Sequence, residues 1–479
     1  MLFPAVKFFV SSMQIDPNIP ANASGIALTI AAGTILLVLP KRYAIVPVIA
    51  TCCYMTMGQS IVIAGCHFTM IRVLMLFGWT RVLLRGEFRK IKLGQLDKMI
   101  LWWTAIGFVA YVGLWRSGDA IIYKMGATYN IIGFYFLFRM MLRSLDDVIQ
   151  VFRTIAVLVV PLAICMLFEK STGRNLFAVF GGVSEITIVR DGVLRCQGPF
   201  SHPILAGTFG ATVFPLVACL WLNGGIGKLM AAGGVISSLI ITVASGSSGP
   251  VLAFMAAVLA LGLWRARDHM FLLRRGIAVG LVSLQIFMKA PIWFLLARVD
   301  VFSGSTGFHR AMLIDGAFHN LGDWWLMGTQ STLSWADEEQ GLFDVTNQYL
   351  QVGAEGGIVS MGLFIWIIVC AFRLVGLTRR SMAEIGESAT NQFFVWGLGA
   401  ALFAHVVSYV SVSYFDQNFV NWYLLLAMIA TVGDQFQTPI EAKEFIDVNE
   451  DEEREKVLVE AGPSTWLMPI AYSSPTTAC

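Results

Sequence analysis

Read by its hydrophobic and polar positions, the chain is a succession of long apolar runs joined by short polar links. Apolar stretches fall at roughly 24–39, 44–65, 68–84, 98–115, 120–141, 148–168, 203–222, 227–244, 250–265, 276–296, 352–372, 393–413 and 419–434. Most have the length a helix needs to cross about 30 Å of hydrocarbon. The pattern predicts an all-α polytopic membrane protein with about 12–13 transmembrane helices. Two longer polar stretches interrupt it, 169–202 and 297–351, and the larger is expected to be partly helical. Pro and Gly inside several runs do not break the pattern, because neighbouring helices can satisfy the freed backbone groups.

Composition supports this reading. The 479 residues are 57% hydrophobic and only 13% charged, with a mean hydropathy of +0.71; ordinary soluble chains carry about 25% charge. The net charge of +2 conceals a segregation. Lys41, Arg42, Arg81, Arg85, Lys98, Arg139, Arg143, Lys228, Arg265, Arg267, Arg274, Arg275, Arg373, Arg379 and Arg380 fall on one side of the alternating spans. That side is the cytoplasmic one by the bias of short loops towards Lys and Arg. Both long polar loops then lie on the outer face, with the amino terminus outside and the carboxyl terminus inside. The eight cysteines show no CxxC or metal-ligand spacing and read as small core residues.

The chain therefore divides into an outer or interfacial segment 1–23, membrane helices 24–168, a first outer loop 169–202, central helices 203–296, a large outer loop 297–351, and last helices 352–434. An acidic tail, 435–479, follows. From Gln435 onward it holds nine Asp/Glu against three Lys/Arg, and reads as a solvated cytoplasmic extension with one short helix at 440–458. No cleavable signal peptide is expected from Met1–Val10, and basic nucleic-acid-binding clusters are lacking.

Three stretches carry candidate chemistry. In RCQGPFSHPILAG, 195–207, Arg195 and His202 flank a Gly198-Pro199 turn, and Pro203 occupies the first position of the next helix. Such a helix start offers free N–H groups and a positive dipole end to a phosphate, and Arg195 adds a planar donor fork. The competing reading has Arg195 anchoring to lipid headgroups and His202 serving the helix start. In STGFHRAMLIDGAF, 305–318, Arg310 lies near the first turn of a helix expected to run along the membrane surface, with His309 beside it. Trp324 and Trp325 read as interface anchors or as a sugar-stacking platform.

In DVTNQYLQVGAEGG, 344–357, Asn347, Gln351 and Glu355 recur on one helical face. Glu355 lies where an ionisable group requires a partner or a function: an arginine partner is the bland reading and a general base the sharp one. The Ser/Gly turn Ser245–Gly249 could help line an anion site. No HExxH or DxD pattern is present, so no metal and no cofactor is expected, and two arginines converging on one site would suit a pyrophosphate.

The order of these motifs resembles the O-antigen ligase and O-antigen (exopolysaccharide) polymerase family of bacterial inner-membrane proteins. The resemblance spans roughly 25–435 and is most specific from about 190 to 360. It implies metal-independent glycosyl transfer from an undecaprenyl-pyrophosphate-linked oligosaccharide at the periplasmic face. Arg195 and Arg310 match the arginines that hold the donor pyrophosphate in that family. Arg195, Arg310 and Glu355 are accordingly the catalytic candidates, and His202, His309, Asn347, Gln351, Trp324 and Trp325 the substrate-binding ones. Implied partners are the lipid-linked glycan, the bilayer and other polysaccharide assembly proteins, with no nucleic acid. Where the family often has His-Asn before the late span, this chain has Thr346-Asn347, which favours a polymerase over a lipid A–core ligase. A lipid-linked glycan transporter is the third reading.

Overall fold

The computed structural model describes residues 21–63, 66–88, 91–298, 306–335 and 345–436. The expectations for Met1–Val10 and for the acidic tail with its short helix lie outside the described residues.

Fourteen helices are used here: α1 (Ala23–Val38), α2 (Val46–Tyr54), α3 (Met70–Leu84), α4 (Gln95–Trp115), α5 (Gly118–Met141), α6 (Leu145–Thr172) and α7 (Pro203–Cys219). They continue with α8 (Gly225–Ala244), α9 (Ser248–Gly262), α10 (Met270–Phe287), α11 (Thr306–His319), α12 (Gln348–Glu384), α13 (Ala389–Ser408) and α14 (Gln417–Phe436). Seven described helices are long and apolar enough to cross a membrane. The protein is therefore an all-α, multi-pass membrane protein. Helices α7 and α14 are the most enclosed of the seven; α7 packs on α8, α9 and α13, while α8 also packs on α6. Such close approach has a local cause at Gly207 of α7, where a Cβ would stand 2.8 Å from Pro250 Cβ.

Several ends differ from the apolar runs. The run 44–65 is helical only to Tyr54 and then enters an antiparallel hairpin, β1 (Ser60–Ile63) with β2 (Cys66–Thr69). In the link between helix and hairpin, Gln59 Nε2 donates to Thr56 Oγ1 (2.9 Å) and Phe180 O (2.7 Å), and its Oε1 accepts from Asn22 N (2.8 Å). This stitches three chain segments together at one end of the bundle. The run 276–296 ends as α-helix at Phe287, shortly before Pro291, whose ring and missing N–H interrupt a helix.

Helix α12 is continuous in chain but broken at Gly357, where φ is 74°. There Ile358 N donates to Trp325 O (2.8 Å) and, one turn earlier, Thr329 N donates to Ala354 O (2.9 Å). The large loop thus supplies the backbone partners that the broken helix lacks.

Its own small core comprises Leu313, Ala317, Trp324, Trp335, Val345, Leu350 and Ala354. At the far end of the bundle Arg139 is buried between Asp97 (3.2 Å) and Asp434 (2.8 Å), joining α4, α5 and α14.

Candidate functional site

Arg195 ends a two-stranded ribbon, β3 (Ile188–Arg190) and β4 (Val193–Arg195). Its turn, Asp191-Gly192, has φ of 52° and 75°, the left-handed pair that a two-residue hairpin needs for its twist. The chain after Arg195 is then clamped. Cys196 N donates to Ala244 O (3.1 Å) at the end of α8. The buried Glu169 carboxylate accepts from Gln197 N (3.0 Å), Gly198 N (2.9 Å) and Thr187 Oγ1 (3.2 Å). Asn175 Nδ2 donates to Gly198 O (2.7 Å), and the Lys170 ammonium donates to Leu194 O.

Clamped in this way, Arg195 reaches the Ser245–Gly249 turn, and its Nη2 donates to Ser247 Oγ (2.7 Å). A Cβ on Gly246, whose φ is 56°, would lie 3.1 Å from Arg195 Cγ. On the other side of the same turn, a Cβ on Gly249 would meet Ser411 Oγ and stand 3.8 Å from Arg310 Nη2. The two arginines of separate loops therefore flank one five-residue turn, with Ser247 and Ser411 between them.

Among the described residues no carboxylate forms an ion pair with Arg195, and its Nε is buried with no hydrogen-bond partner. Burial, then the neighbouring Arg190, pull its pKa down from the usual arginine range against the opposing pull of Asp191; a guanidinium stays charged through such a shift. A positive charge held half-desolvated beside a neutral hydroxyl is an anion-seeking arrangement.

His202 is the N-cap of α7, its Nδ1 accepting from Ile204 N (3.2 Å), with Pro203 in the first turn. Burial, then Arg195 and Arg190, lower its pKa to about 4, so the ring is a neutral cap beside the cations. Asn347 caps α12 in the same manner, its Oδ1 accepting from Tyr349 N (3.0 Å) and Leu350 N (3.1 Å). Beside it, Gln348 N donates to Tyr409 O (2.9 Å) and Gln348 Oε1 accepts from Tyr414 N (2.5 Å). The cap thereby fixes the 409–416 loop that presents Ser411.

The remaining candidates stand apart from the turn in their contacts. Glu355 pairs with Lys124 of α5 (2.7 Å) and accepts from Gln351 Nε2 (2.8 Å), while the Lys124 ammonium lies 4.9 Å over the Tyr111 ring. The partner of Glu355 is thus a lysine, not the arginine of the blander of the two sequence-based readings. Trp324 is buried in the core of the loop, its Nε1 donating to Ala317 O (2.8 Å) and its ring 5.6 Å from Trp335. It is an internal packing residue, and of the two tryptophans only Trp325 is exposed. His309 touches the Phe308 ring. Among the described residues no three His, Cys, Asp or Glu side chains gather in the manner of a metal centre.

Sequence reading passed over Glu169, Ser411 and Asp416. Only the Asp-Gly of the hairpin carried a local signal; the others gain their place through contacts between distant segments. No protein-family model matches the chain, and none of the curated proteins matches it. The class of protein is set by the fold: a multi-pass, all-α membrane protein.

Proposed function

We propose that the turn flanked by Arg195 and Arg310 binds the pyrophosphate of a lipid-linked glycan, and that the protein transfers the glycan to an acceptor hydroxyl. The observation that carries this reading is Arg195: a part-buried cation without an ion-pair partner among the described residues, on the turn that Arg310 borders from the other side. Arg139, Lys98 and the other basic links crowd the opposite end of the helices, and the bias of short cytoplasmic loops towards Lys and Arg supports the reading of the arginine turn as the outer, periplasmic end. The bilayer is then the inner membrane of a bacterium, and undecaprenyl pyrophosphate the carrier.

In the reaction, an acceptor oxygen attacks the anomeric carbon while the bond from that carbon to the pyrophosphate oxygen breaks. The bonding pair leaves on undecaprenyl pyrophosphate, where negative charge grows and two fixed guanidinium groups act most strongly. The hydroxyl proton passes to a base, a role open to Glu355 only if it leaves Lys124 and Gln351, which hold it apart from the turn. The acceptor is the end of another lipid-linked repeat, so the product is a polysaccharide.

The test is incubation of the purified protein in liposomes with an undecaprenyl-pyrophosphate oligosaccharide. Longer chains with equal release of undecaprenyl pyrophosphate support polymerisation, and transfer only to added lipid A–core supports ligation. Movement of the intact lipid-linked glycan across the bilayer without bond exchange overturns the enzyme reading in favour of transport.

A further inference from the structure

Two apolar helices at the edge of the bundle are joined at one end by the same short stretch of chain. Helix α1 leaves Leu28 and Ile30 uncovered along its outer side, and α6 leaves Ile164, Leu167 and Phe168. In a multi-pass protein such flanks meet acyl chains. The turn at 176–180 starts soon after α6 and rests on the first residues of α1. Ser24 Oγ donates to Val179 O (2.8 Å), and Asn22 Nδ2 donates to the same oxygen (3.4 Å). Asn175 holds the turn from the α6 side, its Oδ1 accepting from Phe177 N (2.9 Å). Phe177 is buried, while Leu176 and Val179 are 48% and 64% exposed.

The β3–β4 ribbon follows. Asn175 N donates to Glu185 O (2.8 Å) and Thr187 N donates to Gly173 O (3.0 Å), which pins the foot of the ribbon beside the end of α6. Successive residues of a strand point to opposite faces, so Ile188 and Val189 lie on the two sides of β3. Both are exposed, and Ile186 at the foot is 75% exposed. A two-stranded ribbon on its own is marginally stable in water, and this one turns aliphatic groups outward on both sides. The exposed charges near it are paired, Arg174 with Glu185 (3.3 Å) and Arg190 with Asp191 (3.6 Å).

An uncovered aliphatic surface of this kind marks a contact with lipid or protein. Lipid is the occupant here, because the surface continues along the chain and across the Val179 bonds into the lipid-facing flanks of α6 and α1. The ribbon cannot go deep, since its open strand edges would carry N–H and C=O groups into hydrocarbon without partners. The level that suits both its aliphatic groups and its ion pairs is the boundary between headgroups and acyl chains. We infer that the 176–193 stretch is seated in the bilayer surface, with Leu176, Val179, Ile186, Ile188 and Val189 in the first part of the acyl layer. Arg195 ends β4, so seating the ribbon also sets the depth of its guanidinium, close to the plane of the headgroup phosphates. The inference depends neither on the glycosyl-transfer reading nor on which leaflet lies at that end.

The test is a fluorescent reporter on the ribbon. Val189→Cys and Ile186→Cys, each in the full chain in phosphatidylcholine liposomes, are labelled with a thiol-reactive NBD dye. The wild-type chain taken through the same labelling supplies the background from the native cysteines. Both positions are exposed, so neither substitution disturbs packing. Seating in the bilayer predicts blue-shifted emission, quenched more strongly by lipids with a doxyl group near the headgroup end of the chain than by iodide in the water. Quenching by iodide equal to or above that by the doxyl lipids overturns the inference. Protection from both quenchers overturns it too, since a second copy of the chain would then cover the ribbon.

Discussion

Arg195 Nη2 and Ser247 Oγ stand 2.7 Å apart, although 51 residues and the whole of α7 and α8 separate them in the chain. The contact sets a cation that has no ion-pair partner among the described residues on a turn whose far side borders Arg310, and the first prediction concerns this pair. Arg195→Ala and Arg310→Ala should each lower the rate of glycan transfer in liposomes by about 10²–10³-fold, the usual effect of removing a group aimed at developing charge. Both variants should remain folded in the membrane, and the lysine variants should retain part of the activity. Near-normal polymer length and yield from both alanine variants would end the proposal.

The glycines of the turn should be as sensitive as the arginines. A methyl at Gly249 drives into Ser411 Oγ beside Arg310, and one at Gly246 must also accept a φ of 56°. Gly249→Ala is expected to cost about 1–3 kcal/mol through overpacking, read as a lower Tm. Ser411→Gly in the same chain should restore most of it; no restoration would mean that the collision has another source.

Glu169 touches no substrate in this reading, yet it positions the chain that follows Arg195. Glu169→Ala leaves two inward N–H groups, of Gln197 and Gly198, without an acceptor, at about 1–3 kcal/mol each. Glu169→Gln keeps one acceptor oxygen and should do less harm. Activity assays should show a raised KM for the donor with a smaller change in kcat, since binding by Arg195 is loosened while the chemistry is intact. A loss confined to kcat would contradict the positioning role.

The pH dependence of thermal stability should show two opposed contributions. His202 has its pKa lowered to about 4, so its contribution is present above the ordinary histidine range and is lost as pH falls towards 4. Asp416 has its pKa raised to about 6; its contribution is present below the ordinary carboxylate range and is lost as pH rises through 6. His202→Asn, which keeps a cap, should flatten the acid-side fall in Tm, and Asp416→Asn should flatten the opposite slope. Variants with unchanged slopes would show that neither group titrates as its surroundings dictate.

For the Lys124–Glu355 pair, a double-mutant cycle separates packing from chemistry. Lys124→Met and Glu355→Gln should each destabilise the protein by about 1–3 kcal/mol, and the double variant by less than their sum. If Glu355 takes the acceptor proton, Glu355→Gln also lowers kcat by about 10²–10⁴-fold. A kcat near that of the wild-type protein would leave Glu355 with a structural role alone.

Much of this arrangement could be read before any coordinates. Pro203 after a polar link announces the start of α7, and the two arginines stand out because they oppose the segregation of basic residues. Other features were hidden for definite reasons. Trp324 looks like an interface residue in one dimension, and only the folding of the loop onto Trp335 turns it inward. Gln59 could not reveal its role as a tie between segments, because its partners at Phe180 and Asn22 are far along the chain. Glu169 sits in an apolar helix, and its acceptor role exists only once the 196–198 turn is brought against it. Local pattern records where helices begin; contacts between distant loops leave no such mark.

The break at Gly357 has a mechanical consequence. Because Trp325 and Thr329 exchange backbone bonds with Ile358 and Ala354 across the gap, the first turns of α12 are spliced to the 325–329 segment. Gly357 is the natural hinge between 348–356 and the rod that follows it. Glu355 rides on the first of these pieces and Lys124 on α5, so any rotation about Gly357 would load their ion pair.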